Sequence, residues 1–514
     1  TIQYDPSYNL KIEAFLLSYA YAYNKIMSLS NSRTRILSHQ VECTHIIVNA
    51  FKQRFLIADE VGLGKTIEAG LVIKELIYRY NYNRILIVCP ASLLLQWQSE
   101  LESKFNEAFT IMDRKNYIRT KKNSSATENP WNKHKKVICS LDFIKNPVMH
   151  DELSHTNWDI IIFDESHRLR RDSKHTTQGY TIAEIISQKT KALLLLSATP
   201  FRGKLEELYY LIALIDKNIL GPFNSFYNEY CLEQSDLSTL KYKLEPVIIR
   251  RTKKEIGGFT KRHAMTIKFE LYPEERALYD ETTIYVINEF NRAMQNENRA
   301  VGFVMTVFQK LLDSSSFALL SALKNRAIRL EELLNRNRNS IIIKKIESFD
   351  HKTEDEHNLN AYNTEKSIHE LKEEIKTLHK IIKLAEKISI NKKGEKLLEL
   401  LKNLKDKGYK KFLIFTQFRT TQDYLQKLLS NYTVEIFNGS MSKEEKEEAI
   451  LGFKNDKEIL IATESGGEGR NMQFASILIN YDLPWSPLKI EQRIGRIHRF
   501  GQKNDVLVYN FSTA

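Results

Sequence analysis

The fold is decided by the stretch Asp59-Glu60-Val61-Gly62-Leu63-Gly64-Lys65-Thr66. An apolar run ending at Ala58 precedes it and an amphipathic segment from Ile67 to Tyr78 follows it, which predicts a strand, a glycine loop and a helix. In such a loop, backbone N–H groups can close around phosphate oxygens, and the helix N-terminus adds partial positive charge. Lys65 can reach the β and γ phosphates of a nucleotide, and the Thr66 hydroxyl can bind Mg²⁺. Because Asp59 stands where the general pattern has glycine, an ordinary glycine turn remains the alternative for this stretch taken alone.

A second signal is a pair of acids at the end of an apolar run. Ile160-Ile161-Ile162-Phe163 leads directly into Asp164-Glu165-Ser166-His167. Adjacent carboxylates at a strand end suit metal-assisted hydrolysis of a phosphoanhydride: Asp164 would hold Mg²⁺ through its water shell, and Glu165 would orient and deprotonate the attacking water. Solvated acids that merely cap a strand are the alternative, and the earlier Lys65-Thr66 pair makes that alternative weaker.

A third signal is the basic segment Gln492-Arg493-Ile494-Gly495-Arg496-Ile497-His498-Arg499. If this segment is one helix, Arg493, Arg496 and Arg499 lie along one face. They are then either a basic surface or arginine fingers that neutralise charge developing on a γ phosphate.

Two regions of the chain have the texture of α/β domains. Both contain short apolar runs bounded by polar residues, as buried parallel strands do. The runs cover residues 54–58, 84–88, 136–139, 160–163 and 193–196 in the first region, and 412–415, 434–437, 459–462, 477–480 and 506–509 in the second. We therefore expect an α/β fold with two lobes built on parallel sheets.

The region between the two lobes has almost no strand signal from Pro273 to Ser389. An apolar stripe predicts a packed helix there: Ile368, Leu371, Ile375, Leu378, Ile382 and Ala385. The polar stretch from Glu347 to Thr364 is expected to be a loop at the tip of this all-helical insertion. The predicted division of the chain is a helical extension at 1–29, the first lobe at 30–265, the insertion at 266–390 and the second lobe at 391–514.

Composition limits the class of protein. The 514 residues, 42% hydrophobic and 27% charged, suggest about three packed units and exclude a disordered or membrane-embedded chain. No apolar run is long enough for a membrane span, and no signal peptide is visible. Four scattered cysteines indicate neither a disulfide framework nor a zinc site, which favours a reducing compartment.

The charge balance allows two interpretations. The net charge of +12 fits either a lysine-rich protein or one attracted to a polyanion. Residues 370–411 hold 13 lysines against 7 acidic residues, as an electrostatic track or a solvated helix face would.

A further motif, Ser197-Ala198-Thr199-Pro200, lies between the acids and the arginines. The four motifs occur in the order found in superfamily-two helicase motors, and the chain resembles those motors. More narrowly, the chain is similar to the Swi/Snf family of double-stranded DNA translocases. The narrowing rests on residues 249–254, 464–471, 481–487 and 498–502. Asp59-Glu60-Val61-Gly62 and Gly467-Glu468-Gly469-Arg470-Asn471 are most similar to the bacterial branch, which includes the RNA-polymerase-associated recycling factor and the motors of phage-defence systems.

The resemblance implies two RecA-like lobes that use ATP and Mg²⁺, with Asp164 and Glu165 in a DEAH-like box. It implies catalytic roles for Lys65, Asp164, Glu165, Arg496 and Arg499, and metal ligation by Thr66 and Asp164. It implies nucleotide contacts from Gln40, Asp59, Glu60, Val61, Gly62, Leu63, Gly64, Lys65, Thr66, Gly467 and Gly469. It implies nucleic-acid contacts from Pro90, Ala91, Ser92, Gln417, Gly439 and Thr463. Ser197 and Thr199 resemble a segment that couples the ATP state to the nucleic-acid side, and His167 a residue that joins the Mg²⁺ site to the opposite lobe.

The expected partner is double-stranded DNA, with RNA polymerase or defence-system proteins as further partners, no membrane, and a cytoplasmic, nucleoid-associated location. Two alternatives stay open. One is an ATP-gated clamp that acts on RNA polymerase or a defence complex, and the other is an RNA helicase of the same superfamily.

Overall fold

The computed structural model describes residues 11, 32–123, 128–201, 203–232, 237–295, 299–336, 342–347, 362–389, 391–463 and 471–513. The chain divides into two compact units, with the boundary between Gly258 and Phe259. The predicted N-terminal extension at 1–29 lies outside the described residues, apart from Lys11.

The first unit is built on a seven-stranded parallel sheet. Its strands are β1 (Arg54–Ile57), β2 (Ile85–Cys89), β3 (Thr110–Ile111), β4 (Lys136–Ser140), β5 (Ile160–Phe163), β6 (Ala192–Leu196) and β7 (Ile248–Ile249). All five strands predicted from apolar runs are confirmed. The two that the pattern missed, β3 and β7, have two residues each and lie at the sheet edges, so they carry too short an apolar signal.

Helices cover both faces of this sheet. The helices are α1 (Ser38–Asn49), α2 (Lys65–Tyr80), α3 (Leu94–Phe105), α4 (Arg114–Lys122), α5 (Leu141–Ile144), α6 (Pro147–Ser154), α7 (Gln178–Ser187), α8 (Leu205–Ile215), α9 (Phe223–Phe226), α10 (Ser238–Leu244) and α11 (Lys253–Ile256). Successive strand residues enter different cores, since Leu56 packs in one cluster and Phe55 and Ile57 pack in the other. Burial on both faces explains why the strands read as continuous apolar runs.

The strand order places the predicted site at one edge. The order is β3-β4-β2-β5-β6-β1-β7, so β6 alone separates the strand before the glycine loop from the strand before the acids. In a parallel sheet all carboxyl ends meet at the same edge, where ligands of open α/β sheets bind.

The second unit contains a six-stranded parallel sheet in the order β12-β13-β11-β14-β15-β8. Its strands are β8 (Arg262–Phe269), β11 (Phe412–Phe415), β12 (Val434–Phe437), β13 (Ile459–Ala462), β14 (Ile477–Asn480) and β15 (Val506–Thr513). The five predicted strands are again confirmed, and their residues alternate between two buried clusters.

The edge strand β8 corrects the predicted boundaries. The expectation ended the first lobe at 265 and began a helical insertion at 266, but β8 pairs with β15 over eight residues, from Arg262 opposite Val506 to Phe269 opposite Thr513. Only Phe269 is buried in this strand, so its apolar pattern is weak. Backbone pairing, which sequence periodicity does not reveal, assigns it to the second sheet.

Helices form most of the region between β8 and β11. They are α12 (Pro273–Gln295), α13 (Arg299–Ser314), α14 (Ser316–Arg336), α15 (Ile368–Ala385) and α16 (Lys392–Asp406). The predicted stripe is confirmed, because Leu371, Leu378, Ile382 and Ala385 of α15 are buried in one cluster with residues of the other helices. Among the described residues, the unit also contains the helices α17 (Arg419–Leu428), α18 (Lys443–Asn455) and α19 (Pro487–Ile494).

This helical region also contains two strands, which corrects the expectation of an all-helical insertion. β9 (Ile342–Glu347) pairs antiparallel with β10 (Tyr362–Ser367). The predicted loop at 347–364 overlaps the ends of these strands, and its interior, 348–361, lies outside the described residues. Within the described parts of the chain, no helix is long and apolar enough to cross a bilayer.

Candidate active site

The glycine loop joins β1 to α2, as its sequence predicts. Gly64 has a φ of +94°, and a Cβ at this position would lie 2.6 Å from Nε2 of Gln40, so only glycine fits. Helix α2 begins at Lys65. The ammonium group of Lys65 donates a hydrogen bond of 2.8 Å to the carbonyl oxygen of Asp59. The loop therefore has the tight glycine turn and the helix N-terminus that a phosphate site needs.

Asp59, the departure from the general loop pattern, is a buried anchor. Its carboxylate accepts hydrogen bonds from the backbone N–H of Arg251 at 2.9 Å and from Nη2 of Arg251 at 2.6 Å. Nη2 of Arg251 also lies 2.6 Å from Oε1 of Glu68 on α2, and both carboxylates are fully buried. Burial and the nearby charge of Asp59 raise the pKa of Glu68 well above its usual value. One guanidinium group thus holds both ends of the glycine loop.

Gln40 lies against this loop. Its amide nitrogen donates to the carbonyl oxygen of Leu63 at 3.1 Å, and its amide oxygen accepts from the N–H of Leu37 at 3.0 Å. The imidazole of His39 lies 3.0 Å from the same Leu63 oxygen. The Gln40 amide thus joins the start of α1 to the glycine loop, and its contact with an adenine base stays a prediction.

The acid pair follows β5, also as predicted. Oδ1 of Asp164 accepts the backbone N–H of Glu165 at 2.9 Å, and Oδ2 accepts the indole N–H of Trp97 at 2.8 Å. The dense protein around the Asp164 carboxyl group, with the charge of Glu165 as the second cause, raises its pKa to about 7. Lys65 lies near enough for its charge to act in the opposite direction. The glycine loop and the acids therefore share one electrostatic environment.

A chain of side chains continues from the acids to the end of β6. Glu165 has a φ of +50°, a left-handed conformation that is rare for a residue with a side chain. Its Oε2 lies 3.2 Å from Nδ1 of His167, which lies 3.1 Å from the hydroxyl of Ser197. The Ser197 hydroxyl in turn accepts the N–H of Thr199 at 3.2 Å. The structure thus brings together the acids, His167 and the Ser197–Thr199 segment.

The predicted nucleic-acid residues of the first unit lie at the same edge. Pro90 follows β2, and a short 3₁₀ turn, Ala91–Leu93, leads into α3. Ala91 and Ser92 are exposed. Because β2 pairs with β5, this exposed turn is next to the strand that carries the acids.

The corresponding residues of the second unit differ in exposure. Gln417, Gly439 and Thr463 follow the neighbouring strands β11, β12 and β13. The amide of Gln417 donates to the carbonyl oxygen of Leu483 at 2.9 Å. Thr463 is fully buried, which does not favour direct contact of its side chain with nucleic acid.

The arginine segment is not one helix, which corrects the expectation of a continuous face. Helix α19 ends at Ile494, and the residues beyond it form turns. Arg493 is buried and donates to Oδ1 of Asn480 at 2.9 Å and to the carbonyl oxygen of Asp482 at 2.8 Å. Nε of Arg499 donates to the carbonyl oxygen of Gly495 at 2.6 Å.

Arg493 therefore belongs to the support of the second sheet. The finger roles of Arg496 and Arg499 stay predictions. Gly467 and Gly469 lie outside the described residues.

Two contributors were missed by the reasoning from sequence. Arg251 lies in the family motif at residues 249–254 but was assigned no role of its own, and Trp97 was assigned none either. No local pattern signals either role, because their partners Asp59 and Asp164 are far away in the sequence.

The geometry fits ATP with Mg²⁺. Thr66 at the start of α2 and Asp164 beside the charge of Lys65 offer the hard oxygen donors that Mg²⁺ prefers. A phosphate loop and paired carboxylates at nearly adjacent strand ends define the class as an ATP-hydrolysing enzyme.

Comparison with known proteins identifies the family. The SNF2-related domain family matches residues 39–405, and the helicase conserved C-terminal domain matches residues 392–501. The chain belongs to the SNF2-related family of helicase-like ATPases.

Two curated relatives agree with this assignment. The uncharacterized ATP-dependent helicase YqhH of Bacillus subtilis (strain 168) is 32% identical over 484 residues, covering 93% of this chain and 75% of the relative. The RNA polymerase-associated protein RapA of Proteus mirabilis (strain HI4320) is 28% identical over 508 residues, covering 93% of this chain and 48% of the relative. The chain thus spans about half the length of the second relative.

Among solved structures, the Sulfolobus solfataricus SWI2/SNF2 ATPase core in complex with dsDNA is 17% identical with a TM-score of 0.41, covering 94% of this chain and 89% of that chain. The same core domain solved separately is 18% identical with a TM-score of 0.40, covering 94% and 86%. The family assignment rests on the sequence matches.

Proposed function

We propose that this chain is a double-stranded-DNA-stimulated ATPase that translocates along duplex, on nucleoid DNA in a prokaryotic cytoplasm. One observation carries the proposal: the phosphate loop, the acid pair and the exposed turn after β2 lie at one edge of one sheet. This arrangement places ATP chemistry and a surface that can meet a DNA backbone at the ends of neighbouring strands.

The chain's own residues divide the work of hydrolysis. Lys65 leaves the Asp59 carbonyl oxygen and binds the terminal phosphates, while Asp59 stays held by Arg251. Glu165 accepts a proton from the attacking water, and His167 keeps the Glu165 carboxylate in place through the 3.2 Å contact. Thr66 and Asp164 would hold Mg²⁺, Asp164 through the water shell of the ion, and the ion would supply positive charge that offsets the charge of the phosphates. Arg496 and Arg499 serve as arginine fingers toward the γ phosphate.

Exposed charge on the first unit supports binding to a polyanion. Residues 114–136 hold eight lysines and arginines against a single acidic residue. Arg114, Lys115, Arg119 and Lys122 are all exposed on α4. Clustered surface cations that meet phosphates bind without sequence preference and with strong salt dependence.

The lysines of residues 370–411 give weaker support. Lys380 pairs with Glu281 at 2.7 Å, and Lys405 pairs with Glu458 at 2.6 Å. Lys393 is buried against Asp482. These lysines hold the second unit together, so this segment is in part a structural face.

ATP turnover with and without duplex DNA tests the proposal. We expect duplex to raise the rate of the unaltered chain, and Glu165→Gln to be inactive under both conditions because it lacks the proton acceptor. Equal rates with and without duplex would overturn DNA stimulation. An active Glu165→Gln variant would overturn the assigned chemistry.

A second candidate is a remodelling factor that acts on RNA polymerase. The 28% identity to a protein named RNA polymerase-associated favours it. Pull-down from a nuclease-treated extract distinguishes the two: retention of polymerase without DNA supports this candidate, and its loss supports DNA as the direct partner.

Antiviral defence is the setting that we propose. Plaque counts on cells carrying the unaltered chain should fall relative to cells carrying Glu165→Gln. Equal counts would contradict a defence role without affecting the ATPase assignment.

A further inference from the structure

Trp97 makes a polar contact that packing alone does not require. It is the fourth residue of α3 and is 1% exposed, within the core on one face of the first sheet. Its indole N–H points at Oδ2 of Asp164, with a nitrogen–oxygen distance of 2.8 Å. A buried tryptophan commonly finds a polar partner, but this partner is the carboxylate to which metal ligation is assigned.

The contact completes a two-point support of Asp164. Oδ1 accepts the N–H of Glu165 and Oδ2 accepts the indole N–H, so each oxygen has one fixed donor. Two donors on opposite oxygens fix the plane of the carboxylate.

The opposite end of the same segment is exposed to solvent. The N–H of Leu93 donates to the carbonyl oxygen of Pro90 at 2.9 Å, so a 3₁₀ turn runs directly into α3. From the exposed Ser92 to the buried Trp97, the backbone is turn and helix. The exposed turn and the buried indole are therefore joined by one short, continuous stretch of turn and helix.

We propose that Trp97 is a positioning residue that links the exposed turn residues Ala91 and Ser92, which follow the buried Pro90, to the orientation of the Asp164 carboxylate. The part of this proposal that concerns DNA rests on the proposed function, and the part that concerns Mg²⁺ rests on the contact between Trp97 and Asp164. Contact of a DNA backbone with the turn would fix the position of α3 and hold the Asp164 carboxylate in its metal-binding orientation. DNA would then raise turnover in part by strengthening Mg²⁺ binding.

The test uses Trp97→Phe, which keeps an aromatic ring and removes the N–H donor. Trp158→Phe is the matched control, because Trp158 is also buried in the first unit and its indole donates to the Thr156 hydroxyl at 2.9 Å. Trp158 precedes β5, at the end opposite to the acids. Thermal unfolding shows whether each variant is folded.

The first readout is Mg²⁺-dependent binding of a fluorescent ATP analogue, measured without turnover. We expect Trp97→Phe to need about 10-fold more Mg²⁺ for half-maximal binding, as is typical when support of a metal ligand is lost. Analogue binding without Mg²⁺ should be unchanged, and Trp158→Phe should match the unaltered chain. An unchanged Mg²⁺ requirement in folded Trp97→Phe would overturn the proposal.

The second readout is the ratio of ATPase rates with and without duplex DNA. We expect this ratio to fall toward one in Trp97→Phe at limiting Mg²⁺ and to recover in part at high Mg²⁺. A full ratio at limiting Mg²⁺ would overturn the link to DNA. If duplex DNA does not stimulate the ATPase of the unaltered chain, the proposed function fails. The Mg²⁺ requirement of analogue binding still tests whether Trp97 supports Asp164.

Should Trp97→Phe not fold, benzothienylalanine at position 97 replaces it, because sulfur then takes the place of the N–H in a ring of nearly the same shape. The same two readouts apply, with the same outcomes supporting or overturning the proposal.

Discussion

The two parallel sheets of this protein share an architecture but use buried charge differently. At the carboxyl edge of the first sheet, Arg251 binds the carboxylates of Asp59 and Glu68 behind the phosphate loop. At the carboxyl edge of the second, Asp482 accepts from Lys393 at 3.2 Å and from the Ser314 hydroxyl at 2.9 Å. The first network holds a loop in a conformation suited to chemistry.

The second network joins elements that are far apart in the chain. Ser314 ends α13, Lys393 lies in α16, and Asp482 follows β14, so the network ties the helical region to the second sheet. Burial lowers the pKa of Lys393, and the charge of Asp482 opposes that shift. The same strand-end position therefore holds the glycine loop in the first sheet and joins the helical region to the sheet in the second.

The largest effect is expected at Lys65, where the first edge meets the nucleotide. Lys65→Ala should lower ATP turnover by more than about 10³-fold, because the ammonium group that binds the β and γ phosphates is lost. Steady-state ATPase assays measure this loss. Lys52→Ala is the control, since Lys52 makes a surface ion pair with Asp216 and should retain full activity. If the activity of Lys65→Ala is close to that of the control, the assignment of ATP hydrolysis to the carboxyl edge of the first sheet is contradicted.

The arginines of the second unit should separate into two kinds. As arginine fingers, Arg496 and Arg499 should each lower turnover by about 10³-fold when replaced by alanine. Arg493→Ala should instead lower the free energy of unfolding by about 3 kcal/mol, because it strands buried oxygens of Asn480 and Asp482. Turnover and urea unfolding measured on all three variants test the division. Normal stability of Arg493→Ala would contradict its structural role.

Removal of the central cation of either network should destabilise its own unit. Arg251→Met leaves the carboxylates of Asp59 and Glu68 buried without their partner and should cost about 3–5 kcal/mol. Lys393→Met should cost less, because Asp482 keeps donors from Ser314 and from the N–H of Gln417 at 2.9 Å. Denaturant unfolding followed unit by unit provides the comparison.

Arg251→Met and Lys393→Met should also differ in how they bind an ATP analogue. Only Arg251→Met should weaken ATP-analogue binding directly, since only its network contacts the phosphate loop. Equal loss of binding in both variants would contradict the different uses of the two edges.

The smallest effect is expected on the exposed surface of the first unit. Lys115→Gln with Lys122→Gln should lower the slope of log affinity for duplex against log salt by about 1.8, or 0.9 per lost phosphate contact. ATP-analogue binding should be unaffected. Lys405→Gln with Lys396→Gln is the charge-matched control in the second unit, where both lysines pair with glutamates. Identical slopes for the two pairs would exclude the α4 surface as a DNA contact.

Local patterns in the sequence predicted most of the fold and part of the site. Buried parallel strands are apolar on both faces, so ten strands were visible as short apolar runs, and the glycine loop and acid pair stood directly after two of them. The edge strand β8 was not visible, because an exposed strand has no apolar run and is defined only by its pairing with β15.

The sequence by itself determined which chemistry is present: Lys65 and Thr66 after glycines, and two carboxylates at the end of a strand. Only the tertiary structure decided how those groups are held. It brought Arg251 to Asp59, 192 residues away in the chain, and brought the indole N–H of Trp97 to Asp164. It also buried Arg493 against the second sheet and ended the helix of that residue before Arg496. The physical reason is range: burial and turn preferences act between neighbours in the chain, whereas a buried charge is stabilised by whichever partner the folded backbone brings to it.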